Sequence, residues 1–184
     1  VAGSSHHSLY YRMPGIKIAS PMTPNEYLSV YDNFMKNDEV LYVSEHRGSY
    51  SNTDELQDFV SENLDIILFP ISITRFEAQK AKIELEKQGY KIGIANILWI
   101  KPFVIKKEWE KAVKTSKFGG IVLDDDYSQG VATNLAYDIM KKTGKKIDTM
   151  GLKDKSAGFS KETDNLPPNY LDIVQRVKKI IKVK

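Results

Sequence analysis

Two adjacent histidines, His6 and His7, stand in a run of small polar residues, with Gly3-Ser4-Ser5 before them and Ser8 after. Imidazole can move a proton or orient a carbonyl near neutral pH, so both are candidate catalytic residues. A metal-binding pair is expected at wider spacing on a helix or strand, and no carboxylate lies nearby in sequence. The same run also reads as a surface loop or as the start of an expression tag. The third histidine, His46, follows a strand between Glu45 and Arg47 and reads as a structural corner.

Asp124-Asp125-Asp126 falls at the C-terminal end of an apolar run, the edge where ligands lie in open α/β sheets. Three carboxylates can bind a hard cation. Successive strand residues point apart, however, so the expected reading is a solvated turn with one Asp helping to start the next helix. Ser72 lies between a strand and a helix starting near Thr74. That helix N-terminus can hold an anion, although a simple capped helix explains it as well. No Gly-x-Ser-x-Gly elbow, P-loop or dinucleotide-type glycine turn is present. The absence of cysteine excludes disulfides, thiol nucleophiles and cysteine-ligated metal, and it fits a reducing, cytoplasmic setting.

The elements that must position these residues alternate. Ile16–Ala19 has strand alternation, and Thr23 with Glu26 has capping-box spacing before a helix from Pro24 to about Met35. Its apolar face is Tyr27, Val30, Tyr31 and Phe34. Val40–Val43 reads as a strand. The polar stretch 51–63 reads as a linker, with Leu56, Phe59 and Val60 able to pin it. A core strand follows over 64–71, then a second capping box, Thr74 with Glu77, and a helix to Gln88 stopped at Gly89. Strand 90–98, helix 106–115, strand 121–124, helix 129–143, strand 146–152, an irregular loop 153–166 and a final helix complete the chain. In that last helix Leu171, Val174, Val177 (or Lys178) and Ile181 face inward. Strand–helix repetition over 64–184 predicts an α/β fold, a mostly parallel sheet with helices on both faces, preceded by a partial second α/β domain.

At 184 residues, with 41% apolar and 28% charged residues, the chain can bury a core and stay in solution. Twenty-seven basic residues against 24 acidic ones leave +3, locally mixed, so neither a nucleic-acid stripe nor a polybasic membrane arm is expected.

The stretches Pro14–Pro24, Val40–His46, Asp65–Ala78, Asn96–Pro102, Leu123–Gly130 and Asn165–Ile180, in this order, resemble the transketolase-like thiamine-diphosphate superfamily, most closely the beta subunits of 2-oxoacid (pyruvate-type) dehydrogenases. Pro14–Pro24 is similar to a Pro-Gly-Leu-Lys-Val-Val-x-Pro-x-Thr-Pro run there. Val40–His46 resembles the strand ending in Glu-His or Glu-Asn, and Asp65–Ala78 an Asp-Val-Thr-Ile-Val-x-Tyr-Gly-x-x-Val-x-Glu-Ala segment. Asn96–Pro102 resembles Asp-Leu-Arg-x-Leu-x-Pro, Leu123–Gly130 a Val-Glu-Glu-x-x-x-Gln-Gly turn, and Asn165–Ile180 the Leu-Pro-x-x-x-x-Ile-Val-x-x-Val-Lys ending. His7-Ser8 resembles the His-Ser of an active-site His-Ser-Gln loop, with Leu9 in place of Gln; Ser5-His6-His7 echoes the Thr-His-His of split transketolases. Leu98 stands where the family has Arg and Ser72 where it has Gly.

The resemblance implies residues 1–50 as the tail of a pyrimidine-binding domain, 51–63 as a linker and 64–184 as a transketolase C-terminal-like domain. It implies thiamine diphosphate and Mg²⁺ bound mostly by residues outside this chain, because the ring-activating Glu and the Gly-Asp-Gly…Asn signature are not found in it. The implied activity is that of a larger 2-oxoacid dehydrogenase or decarboxylase, with two-carbon ketol transfer by a split transketolase as the alternative. The implied partners are a second copy, an alpha-type subunit and a lipoyl acyltransferase core. The chain alone is expected to be a fragment, without catalysis of its own. A non-catalytic oligomerisation or docking module, and an unrelated flavodoxin-like binding domain, are the competing readings.

Overall fold

The computed structural model describes residues 5–158, 160 and 163–182. The N-terminal elements are α1 (His7–Tyr11), β1 (Ile16–Ala19), α2 (Pro24–Met35) and β2 (Val40–Val43). The remainder comprises β3 (Ile66–Pro70), α3 (Thr74–Glu86), β4 (Ile92–Ile94), β5 (Trp99–Lys101), α4 (Lys107–Thr115), β6 (Gly120–Tyr127), α5 (Val131–Thr143), β7 (Ile147–Leu152) and α6 (Tyr170–Lys182). Two sheets result, ordered β2-β1-β5 and β4-β3-β6-β7, and the second is parallel throughout. No helix among the described residues is long and apolar enough to cross a membrane.

The parallel sheet is covered on both faces, so its central strands read as unbroken apolar runs. Ile66 and Leu68 of β3 join the layer formed by α3 and α6, against Ala81, Leu85, Ile173 and Val177. Ile67 and Phe69 face the other layer, against Trp109 of α4 and Leu135 and Ile139 of α5. Phe69 and Trp109 meet edge to face, with ring centroids 6.0 Å apart.

Several local expectations are corrected. The expected strand 90–98 is shorter. Ile92–Ile94 pairs with β3 and Ile97 bridges to Ile71, and a strand beyond the expected range, Trp99–Lys101, pairs antiparallel with β1. The first sheet is therefore completed by a strand from the second half of the chain. Neither capping box forms. Thr23 donates to Glu55 instead, whose other oxygen accepts the Asn25 N–H, so a carboxylate from the polar stretch caps α2. Thr74 lies inside α3 and donates to the carbonyls of Ile71 and Leu123, while Glu77 reaches Lys80 and the Tyr170 N–H. On α2 only Val30 of the expected face is buried, and Tyr31 and Phe34 are exposed. On α6 Leu171 is exposed and Ile173 takes its place in the core.

A polar chain ties the two sheets through the stretch 51–63. The buried Arg75 guanidinium donates to both oxygens of Glu26, at 2.7 and 2.5 Å, and to Asn96 Oδ1. Asn96 donates in turn to Gln57 O and, through its backbone, to Asp58, whose carboxylate also accepts from Lys106 and Trp109 Nε1. At the foot of β3, burial opposes ionisation of Asp65. The Lys117 ammonium and the Lys91 N–H outweigh it and hold the carboxyl below its ordinary value.

Two predictions follow from these pairs. Glu26→Ala strands a buried guanidinium and is expected to lower unfolding free energy by about 3 kcal/mol, measured by urea denaturation. Because the Asp65 pKa is depressed on folding, its contribution is present above the unfolded value and is lost as pH falls through the folded one. Asp65→Asn should therefore lower stability near pH 7 and flatten its decline in acid, read from thermal midpoints across that range.

Candidate functional site

β6 pairs evenly with β7 from Gly120↔Ile147 to Leu123↔Met150, then loses register until Tyr127↔Leu152. Over that interval β6 advances four residues and β7 two, so Asp124, Asp125 and Asp126 sit in a bulged segment. A bulge breaks the alternation of side chains. That is why three successive carboxylates turn into the protein here, all buried, and the solvated-turn expectation is overturned.

The segment that meets them is the start of α1. His7 is fully buried; its Nε2 lies 2.9 Å from Asp124 Oδ1 and 3.8 Å from Asp126 Oδ2, and its Nδ1 lies 3.2 Å from Ser44 Oγ. The Ser8 N–H donates to Asp126 Oδ2, and Ser8 Oγ accepts the Val131 N–H at the first turn of α5. Gly130 makes that approach possible, since a Cβ there would fall 2.3 Å from Ser8 Oγ. Tyr10 stacks on Tyr42 of β2, with ring centroids 4.1 Å apart. The polar loop expected at His7-Ser8 is thus a short helix clipped between the two sheets.

Ser44 follows β2 and Ser72 follows β3, so the cluster lies where the carboxyl edges of both sheets meet, the usual place for a site in such sheets. Ser72 has φ +53, a left-handed conformation that favours glycine, and its hydroxyl donates to Asp125 Oδ2 at 2.6 Å. This is the position where the resembling family has Gly.

The electrostatics follow from this packing. Burial disfavours charge on His7, but Asp124, through charge and hydrogen bond, with Asp125 and Asp126 behind it, lifts its pKa to about 9. His7 is then an imidazolium at neutral pH, donating from both nitrogens. Burial and then the Asp124 charge push Asp125 up, against His7 and the Ser72 and Ser5 side chains. Asp124 Oδ2 and Asp125 Oδ1 accept no hydrogen bond of regular geometry.

The two candidate histidines part company: His7 is closed to solvent, and His6, one residue earlier, is exposed. His46 caps a 3-10 turn, its Nδ1 accepting the Gly48 N–H at 3.0 Å, as a corner residue would. Sequence reasoning missed Ser44, which carries no signal beyond ending a strand. A cavity of about 620 Å³ elsewhere is lined by Lys17, Glu26, Arg75, Asn96, Trp99 and Trp109, but Glu26, Arg75 and Asn96 are committed to the polar chain described above.

No family model matches the chain. It is 23% identical, over 97% of its length, to the pyruvate dehydrogenase E1 component subunit beta of Bacillus subtilis (strain 168), covering 59% of that protein. It is 24% identical, over 93% of its length, to the subunit of the same name from Rhizobium meliloti (strain 1021), covering 41%. The chain thus spans about half the length of these curated relatives. Its fold matches a split-gene transketolase solved as an inactive beta4 tetramer, with TM-score 0.74 and 16% identity over 96% of this chain and 61% of that one. A 2-oxoglutarate:ferredoxin oxidoreductase from Magnetococcus marinus, solved with 2-oxoglutarate, coenzyme A and succinyl-CoA, matches 67% of this chain and 19% of its own at TM-score 0.50 and 21% identity.

Ser72 separates backbone strain from hydrogen bonding at the site. Ser72→Gly loses the bond to Asp125 but relieves the left-handed conformation, and should stay within about 1 kcal/mol of the parent. Ser72→Ala loses the bond and keeps the strain, and should be the least stable of the three by chemical denaturation.

Proposed function

We propose, from the premise that this chain carries the transketolase-like C-terminal domain of the thiamine-diphosphate superfamily, that it is the C-terminal part of a beta-type subunit of a 2-oxoacid dehydrogenase or decarboxylase. Its contributions are subunit assembly and one active-site segment, residues 5–8, at the start of α1. The observation that carries this reading is the collinear similarity over nearly the whole chain, together with His7 held at the joint carboxyl edge of both sheets and His6 exposed beside it. Within the pair the roles divide. His7 is a positioning residue, fixed by Asp124 and Ser44, and it sets the direction of its neighbour. His6, exposed, is the imidazole available to a substrate or to an acyl-accepting arm docked from outside.

The cofactor itself does not fit among these residues. Three buried carboxylates face a single imidazolium, and a diphosphate brought there meets net like charge. In this reading thiamine diphosphate and its Mg²⁺ are held by residues outside the cluster, chiefly those of an alpha-type partner subunit. A second copy of the chain and a lipoyl acyltransferase core are the further partners, and a cytoplasmic location fits a chain without cysteine.

A second reading, ketol transfer by a split transketolase, is favoured by the TM-score of 0.74 and by the Ser5-His6-His7 run. The name of that solved assembly, an inactive beta4 tetramer, also supports a third reading, in which the chain acts in assembly alone.

The test reconstitutes the purified protein with its alpha-type partner, thiamine diphosphate and Mg²⁺. It measures dye reduction driven by 2-oxo acids and, separately, ketol transfer between sugars. The expected result is 2-oxo acid oxidation that requires both subunits. His6→Ala should lower kcat by roughly a hundredfold while the assembly mass by light scattering is unchanged. Ketol transfer alone moves the assignment to the second reading. An intact heteromer active in neither assay leaves assembly as the function.

A further inference from the structure

His7, Asp124 and Asp125 share a pattern that an ordinary buried ion pair does not need. In His7 and Asp125 one polar atom is held by a hydroxyl: Ser44 Oγ takes Nδ1 of His7, and the Ser72 hydroxyl takes Oδ2 of Asp125. The other polar atoms turn toward one another. Donor atoms of His7, Asp124 and Asp125 lie within 4.8 Å of each other, and two of the carboxylate oxygens, Asp124 Oδ2 and Asp125 Oδ1, accept no hydrogen bond of regular geometry although both residues are at least 98% buried.

We propose that this cluster is a binding site for one divalent cation of the Mn²⁺ or Zn²⁺ class, ligated by His7 Nε2 and by one oxygen each of Asp124 and Asp125. Four lines of physical chemistry support it. The donor set mixes one imidazole nitrogen with carboxylate oxygens, which suits first-row divalent ions better than Ca²⁺, a cation that takes six to eight oxygens. The separation of 2.9 Å between His7 Nε2 and Asp124 Oδ1 is near the roughly 3 Å edge of a coordination polyhedron built from bonds of about 2.1 Å. The two serines do what outer partners of metal ligands do, since each fixes the orientation of a ligand by binding the atom the metal does not use.

The charge balance is the fourth line. Asp126 adds a third carboxylate, accepting the Ser8 and Tyr127 N–H groups. No Lys or Arg makes a hydrogen bond or ion pair with any of these four side chains among the described residues. Buried carboxylates without cationic neighbours call for a positive charge, and orphaned oxygens in a buried site carry a desolvation penalty that a cation removes. The field that favours a proton on His7 favours a doubly charged ion in its place. His7 is one residue from exposed His6 and two from half-buried Ser5, so the start of α1 offers a route from solvent.

The test is binding of the metal alone, with no catalytic readout and hence independent of the proposed function. The purified protein is stripped with a chelator and titrated with Mn²⁺, followed by calorimetry and by the loss of the free-ion paramagnetic resonance signal; Zn²⁺, Mg²⁺ and Ca²⁺ are titrated in parallel. The expected result is one Mn²⁺ or Zn²⁺ per chain, in preference to Mg²⁺ and Ca²⁺, with a raised thermal midpoint. Asp125→Asn is isosteric and keeps an acceptor for Ser72, so it should remain folded by circular dichroism while weakening binding at least tenfold. His7→Gln, whose amide still donates to Asp124, should do the same, and Glu86→Gln, at an exposed carboxylate at the C-terminal end of α3, should bind as the parent does. Folded protein that takes up no Mn²⁺ or Zn²⁺ at millimolar concentration overturns the proposal and leaves a proton as the occupant. So does binding that Asp125→Asn and His7→Gln leave unchanged.

Discussion

An imidazolium shut away from water must find its counter-charge inside the protein, and His7 finds it in Asp124, 117 residues further along the chain. Neither partner is tolerable there without the other, because an unpaired buried charge is far more costly than the pair is favourable. The consequence is architectural. α1 can seat itself only where β6 ends, β6 ends beside β3 in the parallel sheet, and Ser44 brings the tip of β2 from the other sheet to the second imidazole nitrogen. One ring therefore helps to fix the relation between two sheets whose strands interleave in the chain at β5.

The polar chain from Glu26 through Arg75 and Asn96 to Asp58 does the same work on another flank. Apolar packing alone tolerates sliding of one layer over another, since it is non-directional. A bidentate guanidinium–carboxylate pair does not, because both its bonds must be made in one plane. Directional pairs thus hold the sheets in register, and apolar burial supplies the bulk of the stabilisation. Each pair joins residues far apart in sequence, and the chain through Asn96 ends on the polar stretch that composition alone marks as a connector.

Layer periodicity made most of the fold legible. The apolar runs at 66–70 and 120–123 are strands covered on both faces, and glycine stops such as Gly89 and Gly144 adopt the expected positive φ. What was not legible depended on partners distant in sequence. The spacing of Thr23 and Glu26 promised a cap, yet Glu55 supplied it and Glu26 was drawn to Arg75. Strand 90–98 shortened to Ile92–Ile94, and a further strand formed just beyond it, at Trp99–Lys101, because β1 offered an open edge that no local pattern reveals. Three aspartates looked like solvent residues because a strand normally sends neighbours to opposite faces, and the bulge that reorients them is a property of the β6–β7 pairing. The histidine pair was visible as chemistry, but which ring would be buried was decided by those aspartates.

The division between His6 and His7 bears on how a site can be shared between chains. A catalytic group presented to a neighbouring subunit must be both exposed and directed, and exposure ordinarily brings freedom that blurs direction. In the proposed reading the two demands fall on successive residues of one turn. His7 is held by two buried hydrogen bonds, to Ser44 and Asp124, and the next residue is tied by its N–H to Asp126, so the backbone of His6 inherits a defined position while its side chain stays open. Burial of the charge cluster and exposure of the neighbouring imidazole are then two halves of one arrangement. The carboxylate oxygens beneath it that accept no regular hydrogen bond are where the proposed cation would complete that arrangement.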